Sequence, residues 1–146
     1  MCDKSGTEKR RINNMKIIWI NGCFDVMHRG HIELFKYAKS VGDFVVVGID
    51  SDNRVRSLKG EARPINKEED RKFLLESIRY IDKVVVFDDE KELRMLISLH
   101  KPDAMVIGSD YKNKKIIGKE NAKKVIFFDR IDGYSTTKTI KDIADS

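Results

Sequence analysis

Phe44-Val45-Val46-Val47-Gly48-Ile49 is an unbroken apolar run, mostly β-branched. A strand with one wet face would alternate polar and apolar residues. A run without alternation belongs to a strand covered on both faces, as in the interior of a parallel sheet. Four more short runs follow the same grammar: Lys16-Ile17-Ile18-Trp19-Ile20, Lys83-Val84-Val85-Val86-Phe87, Ala104-Met105-Val106-Ile107 and Val125-Ile126-Phe127-Phe128. Amphipathic stretches separate them, with apolar stripes at Leu34, Phe35, Ala38 and Val41, then Leu74, Ile78 and Ile81, then Leu93, Leu96 and Ile97. Strands separated by helices require crossovers rather than hairpins. The pattern therefore predicts an α/β fold, a Rossmann-like three-layer sandwich with a five-stranded parallel sheet. With 146 residues, 40% of them hydrophobic, the chain suits one core. We expect a flexible N-terminal tail over 1–14 and one domain over 15–146.

The punctuation fills in the connections. Gly42 is expected to stop the first helix, and Asn66 with Glu69 reads as a capping box opening the second. Between Asn53 and Asn66 the basic residues Arg54, Arg56, Lys59 and Arg63 suggest an irregular loop able to swing over an anion. Ser135-Thr136-Thr137 is expected to open a last helix. Ligands of such sheets bind at the carboxyl ends of the strands, near the reversal of strand order. Four segments converge there: Gly22 to His31, the Lys59 loop, Gly108 to Tyr111, and Arg130 to Thr137.

The formal charge is +5, of which Lys4, Lys9, Arg10 and Arg11, set against Asp3 and Glu8, supply +2. Elsewhere acids and bases are mixed. That argues against a nucleic-acid partner, which favours a clustered basic stripe, and fits a small anionic substrate better. Cys2 and Cys23 show neither zinc-site spacing nor a disulfide framework. No apolar run approaches a membrane span, so the expectation is a cytoplasmic protein without a membrane partner.

The chemistry concentrates in Asn21-Gly22-Cys23-Phe24-Asp25-Val26-Met27-His28-Arg29-Gly30-His31, between the first strand and first helix. Two histidines at i and i+3 share a helix face, and Gly30 between them lets a ligand approach the backbone. Unpaired helix N–H groups and imidazoles together favour a phosphate. Zinc would need further ligands, with Cys23 and Asp25 nearest in sequence, and two surface histidines are the plainer alternative. Ser135-Thr136-Thr137 reads equally as a simple cap or as phosphate donors behind Arg130. Lys59 and Arg71, taken alone, are solvated charges. Walker A and Gly-x-Gly-x-x-Gly patterns are absent.

His28-Arg29-Gly30-His31 resembles the His-x-Gly-His signature of the nucleotidyltransferase superfamily. Asn21-Gly22-Cys23-Phe24-Asp25, Arg63-Pro64-Ile65-Asn66 with Glu69-Asp70-Arg71, Gly108-Ser109-Asp110-Tyr111 with Ile117-Gly118, and Gly133-Tyr134-Ser135-Thr136-Thr137 are similar to its heptose 1-phosphate adenylyltransferase branch, and more loosely to glycerol-3-phosphate cytidylyltransferase. Ser109 stands where that branch often has glycine. The resemblance implies transfer of a nucleoside monophosphate from ATP to a sugar 1-phosphate, a heptose 1-phosphate, with release of pyrophosphate. The alternatives are a CTP-dependent enzyme acting on glycerol 3-phosphate or another small phosphate, and a nucleotide-binding regulatory module without turnover. By resemblance His28, His31 and Lys59 act on the transferring group. Cys23, Phe24, Gly30, Asp110, Arg130, Ser135, Thr136 and Thr137 hold the nucleotide, and Lys59 and Arg71 contact the acceptor. Mg2+ is expected to enter on the triphosphate, with no dedicated protein metal site, and the chain to form a homodimer. The branch is often fused to a sugar kinase, so the acceptor is expected to arrive already phosphorylated.

Overall fold

The computed structural model describes residues 15–129 and 143–144. Five strands alternate with helices: β1 Ile17–Gly22, α1 Arg29–Val41, β2 Phe44–Asp50, α2 Asp52–Lys59, α3 Glu68–Glu76, β3 Lys83–Phe87, α4 Glu90–His100, β4 Ala104–Gly108 and β5 Lys124–Phe128. Two short 3-10 turns, Ser109–Tyr111 and Lys119–Asn121, lie between β4 and β5. The sheet runs in the order β3-β2-β1-β4-β5 and every pairing is parallel. Strand order reverses at β1, flanked by β2 and β4, so the crevice for a ligand opens beyond Gly22 and Gly108.

The pleat sorts β1 between two cores. Ile18 and Ile20 face one side with Val45, Val47, Ile49 and Val106, and pack against Phe35 and Ala38 of α1 and Leu75 of α3. Trp19 faces the other with Val46, Phe87 and Met105, beneath Leu93 and Ile97 of α4. This is the expected three-layer sandwich, with β2 covered on both faces. Gly48 interrupts the β-branched run because a Cβ there would lie 2.7 Å from the Trp19 ring.

Two connections differ from expectation. Residues 52–59 form a helix rather than a loop. Ser51 caps it by accepting from the Arg54 N–H, and Val55 is its buried residue. Charge at the remaining positions hides so narrow an apolar face from a periodicity count. Helix α3 is capped at Lys67, without a side-chain cap, because the Asn66 amide instead donates to the Asp25 carbonyl at 2.6 Å. Its inner face is Arg71 and Leu75, one residue out of phase with the expected stripe, and Leu74 is 44% exposed. The helix ends at Glu76, leaving Ile78 and Ile81 in the following turn. Position 71 is interior although charged, which displaced the apolar register.

Candidate active site

The histidine loop closes helix α1 on itself. The Gly30 N–H donates to His28 Nδ1 at 3.0 Å, and the His28 N–H donates to His31 Nδ1 at 3.1 Å. Two imidazoles thus perform the reciprocal capping usually done by a hydroxyl and a carboxylate. The rings stack with centroids 4.0 Å apart, and Phe24 meets His31 edge-on at 5.5 Å. Because each Nδ1 accepts a backbone proton, the neutral rings carry their own proton on Nε2. This revises the expectation that bare helix N–H groups receive the phosphate. The Gly30 N–H is committed to the cap, and both imidazoles line the cleft. Phe24 holds a left-handed backbone, φ 50°, and its ring lies 3.0 Å from where a Cβ of Gly22 would be. Only a minimal residue at 22 fits comfortably under that ring.

Behind this loop lies a buried polar frame. Asp25 is 2% exposed and accepts from Arg63 Nε (3.0 Å), the Ile65 N–H (2.8 Å) and the Asn66 N–H (2.7 Å). With its carboxylate so engaged, Asp25 anchors residues 63–66. Arg71 is 0% exposed. Its Nε donates to the Asn66 carbonyl at 2.9 Å, its Nη1 to the carbonyls of Cys23 (3.0 Å) and Asp50 (2.7 Å), and its Nη2 to Asp52 at 2.9 Å. Asp52 also accepts from the Glu68 N–H at 2.8 Å, while Glu68 accepts from the Asp52 N–H at 3.0 Å. The expectation of Arg71 as an acceptor contact is therefore corrected. All three of its nitrogens are committed inside the protein, and it ties the histidine loop, the end of β2 and the starts of α2 and α3 together. Sequence reasoning missed Asp25 and Asp52 as parts of this frame. The available signal was Asp25 and Arg71 at the ends of the two motifs.

Above the frame opens a cleft of about 720 Å³. Gly22, Cys23, Phe24, His28, Gly30, His31, Lys59 and Asp110 all line it, so the site residues drawn from three separate segments come together. Lys59 ends α2 and is exposed, followed by Gly60 at φ 95°. Burial pushes the Cys23 thiol up, against the opposing pull of Lys59 and Arg71, which keeps it protonated at neutral pH. Asp50 pairs with Arg54 Nε at 2.7 Å on the same wall. Asp110 folds back so closely that a Cβ on Gly108 would lie 2.6 Å from its carboxylate. Arg130, Ser135, Thr136, Thr137 and the segment 1–14 lie outside the described residues. No helix among the described residues is long and apolar enough to cross a membrane.

The chain that builds this cleft matches the cytidylyltransferase-like family model over residues 19–141. The chain belongs to this family. Among curated relatives of this cytidylyltransferase-like domain, the bifunctional protein HldE of Campylobacter concisus is 44% identical over 131 residues, 90% of this chain and 28% of that protein. HldE of Helicobacter pylori is 46% identical over 131 residues, again 90% and 28%. The chain thus spans less than a third of the length of these relatives. A lipopolysaccharide core biosynthesis protein from Thermoplasma volcanium superposes with a TM-score of 0.62 at 26% identity, covering 84% of this chain and 100% of that one.

Proposed function

We propose that this chain transfers the adenylyl group of ATP to a sugar 1-phosphate, a heptose 1-phosphate, and releases pyrophosphate. The observation that carries this is the reciprocal histidine cap, which fixes two imidazoles at a cleft over the reversal of strand order. Membership of a nucleotidyltransferase family and the likeness to HldE support it.

The chemistry is a single in-line displacement. An acceptor phosphate oxygen forms a bond to the α-phosphorus while the bond from that phosphorus to the α–β bridging oxygen breaks, and pyrophosphate leaves with the electron pair. Little is demanded of the protein beyond position and charge. His28 and His31 donate to phosphoryl oxygens whose charge grows in the transition state, and the Lys59 ammonium adds a mobile cation beside them. Cys23, kept a thiol by burial, is no nucleophile, in keeping with direct transfer. Gly30, Phe24 and Asp110 shape the nucleotide's bed, and Arg130, Ser135, Thr136 and Thr137 complete it at the outer phosphates. The donor set suits a magnesium ion that arrives on the triphosphate and retains waters, since the described cleft is lined by two carboxylates, Asp50 and Asp110, and Asp50 is paired with Arg54. Such an ion neutralises triphosphate charge. The reading includes a homodimer in the cytoplasm.

Pyrophosphate release measured with ATP and with CTP, against a panel of heptose and hexose 1-phosphates and glycerol 3-phosphate, tests this. A kcat/KM at least tenfold higher for ATP with a heptose 1-phosphate is expected. A tenfold preference for CTP would overturn the donor assignment, and no release with any pair would overturn the activity.

A further inference from the structure

The cleft straddles the sheet edge. On the α1 side it is walled by His28, His31 and Leu34, and on the α4 side by Phe87, Leu93, Ile107, Ile116 and Ile117, which belong to the Trp19 core. Lys115 lines the cleft immediately before that Ile116-Ile117 pair. Its segment is anchored rather than loose. Gly118 turns at φ +82° against Ile97, whose Cδ1 is 2.5 Å from where a Cβ would be, and Arg94 of α4 pairs with Glu120 at 2.8 Å. The neighbouring lysines are engaged elsewhere, Lys112 over the Phe127 ring at 6.0 Å and Lys114 over Tyr111 at 5.0 Å. Lys115 lines the cleft without an ion pair or hydrogen-bond partner among the described residues.

The other cleft cations already have stations. Arg54 is held by Asp50, and Lys59, at the end of α2, is the cation given above to the transferring group. In-line displacement puts the entering and leaving oxygens on opposite sides of the phosphorus. With the histidines and Lys59 on the transferring group, the acceptor phosphate needs a cation of its own, and on the α4 side of the cleft Lys115 is the positive charge among the lining residues. We propose that Lys115 binds the anionic acceptor, holding its phosphate in the α4-side lobe of the cleft. This rests on nucleotidyl transfer being the activity.

The test compares the full-length wild-type chain with Lys115→Gln and Lys115→Arg in the pyrophosphate-release assay, using the sugar 1-phosphate that gives the highest wild-type rate. Lys115→Gln is expected to raise the acceptor KM about ten- to a hundredfold, the scale of one lost charge-assisted hydrogen bond. The ATP KM should stay within about twofold, and Lys115→Arg should recover most of the loss. The position is exposed, so thermal unfolding of both variants should match wild type. An unchanged acceptor KM in Lys115→Gln, or a rise confined to the ATP KM, would overturn the proposal while leaving the activity standing. Absence of wild-type release with every acceptor would overturn both.

Discussion

Lys in place of Arg71 keeps the charge but replaces a planar fork by a single nitrogen. In the protein the guanidinium serves four acceptors through three nitrogens: the carbonyls of Asn66, Cys23 and Asp50, and the Asp52 carboxylate. These acceptors belong to different elements and approach from diverging directions, so one ammonium leaves about two of them unmet. Each buried acceptor stranded in this way costs about 1–3 kcal/mol, and the retained charge offsets part of the loss of the Asp52 pair. We expect Arg71→Lys to lose about 3 kcal/mol. For a chain of this size that lowers Tm by about 6–12 °C, and it shifts the urea midpoint by about 1–3 M. Thermal and urea unfolding followed by circular dichroism provide the assay, with acceptor KM measured below the transition. The substrate-contact role suggested by sequence predicts the reverse pattern, a stable variant with weakened acceptor binding. Unfolding within about 2 °C of wild type together with a tenfold higher acceptor KM would refute the buried-frame account.

Replacing His28 or His31 by Ala should lower kcat by about two to four orders of magnitude with a much smaller effect on the ATP KM, because donors aimed at developing charge act chiefly in the transition state. Steady-state kinetics decide it, and a change in KM alone would mean ground-state binding only. Asp103 offers a pH test. Burial would raise its carboxyl pKa, but the Ile17 N–H at 2.8 Å and Lys123 at 3.0 Å outweigh that and hold it below the usual range. A depressed pKa contributes stability present above the unfolded value of about 3.9 and lost as pH falls through the lower folded value. Asp103→Asn should therefore be less stable than wild type at neutral pH, with the gap closing on acidification, as read from urea midpoints; a gap independent of pH would count against it. Light scattering at micromolar concentration should give a dimer mass, and a monomer mass would remove the homodimer.

The sheet was legible because its signal is redundant. Each strand is a short apolar run and α1 and α4 repeat their stripes, so β3 and α4 fall on the expected residues. The histidine loop was legible through residue types in a fixed order at a strand-to-helix junction. What hid from the sequence were positions whose partners are distant. Arg71 meets Cys23 across 48 residues and Asp25 meets Asn66 across 41. Nothing local distinguishes such a buried charge from a solvated one. Helix α2 was missed for a related reason, since its start depends on a Ser51 cap whose hydroxyl also donates to Asp88 and its interior on Val55 alone.

The placement of β1 has a consequence for how the protein is made. It is the earliest of the described strands and lies in the middle of the sheet, hydrogen-bonded to β2 on one side and to β4 on the other. Its second neighbour is remote, as the Ile17 N–H bond to Asp103 spans 86 residues. Long-range parallel pairing is slow because loop closure must precede its reward. On the ribosome, Ile17 to Gly22 and the histidines behind it emerge before β4 and can dock on β2, but the opposite wall of the cleft waits for residues beyond Ala104. The histidine corner is translated ahead of the wall it needs to become a binding site, so nascent chains stalled before β4 should carry the histidine motif yet retain no nucleotide.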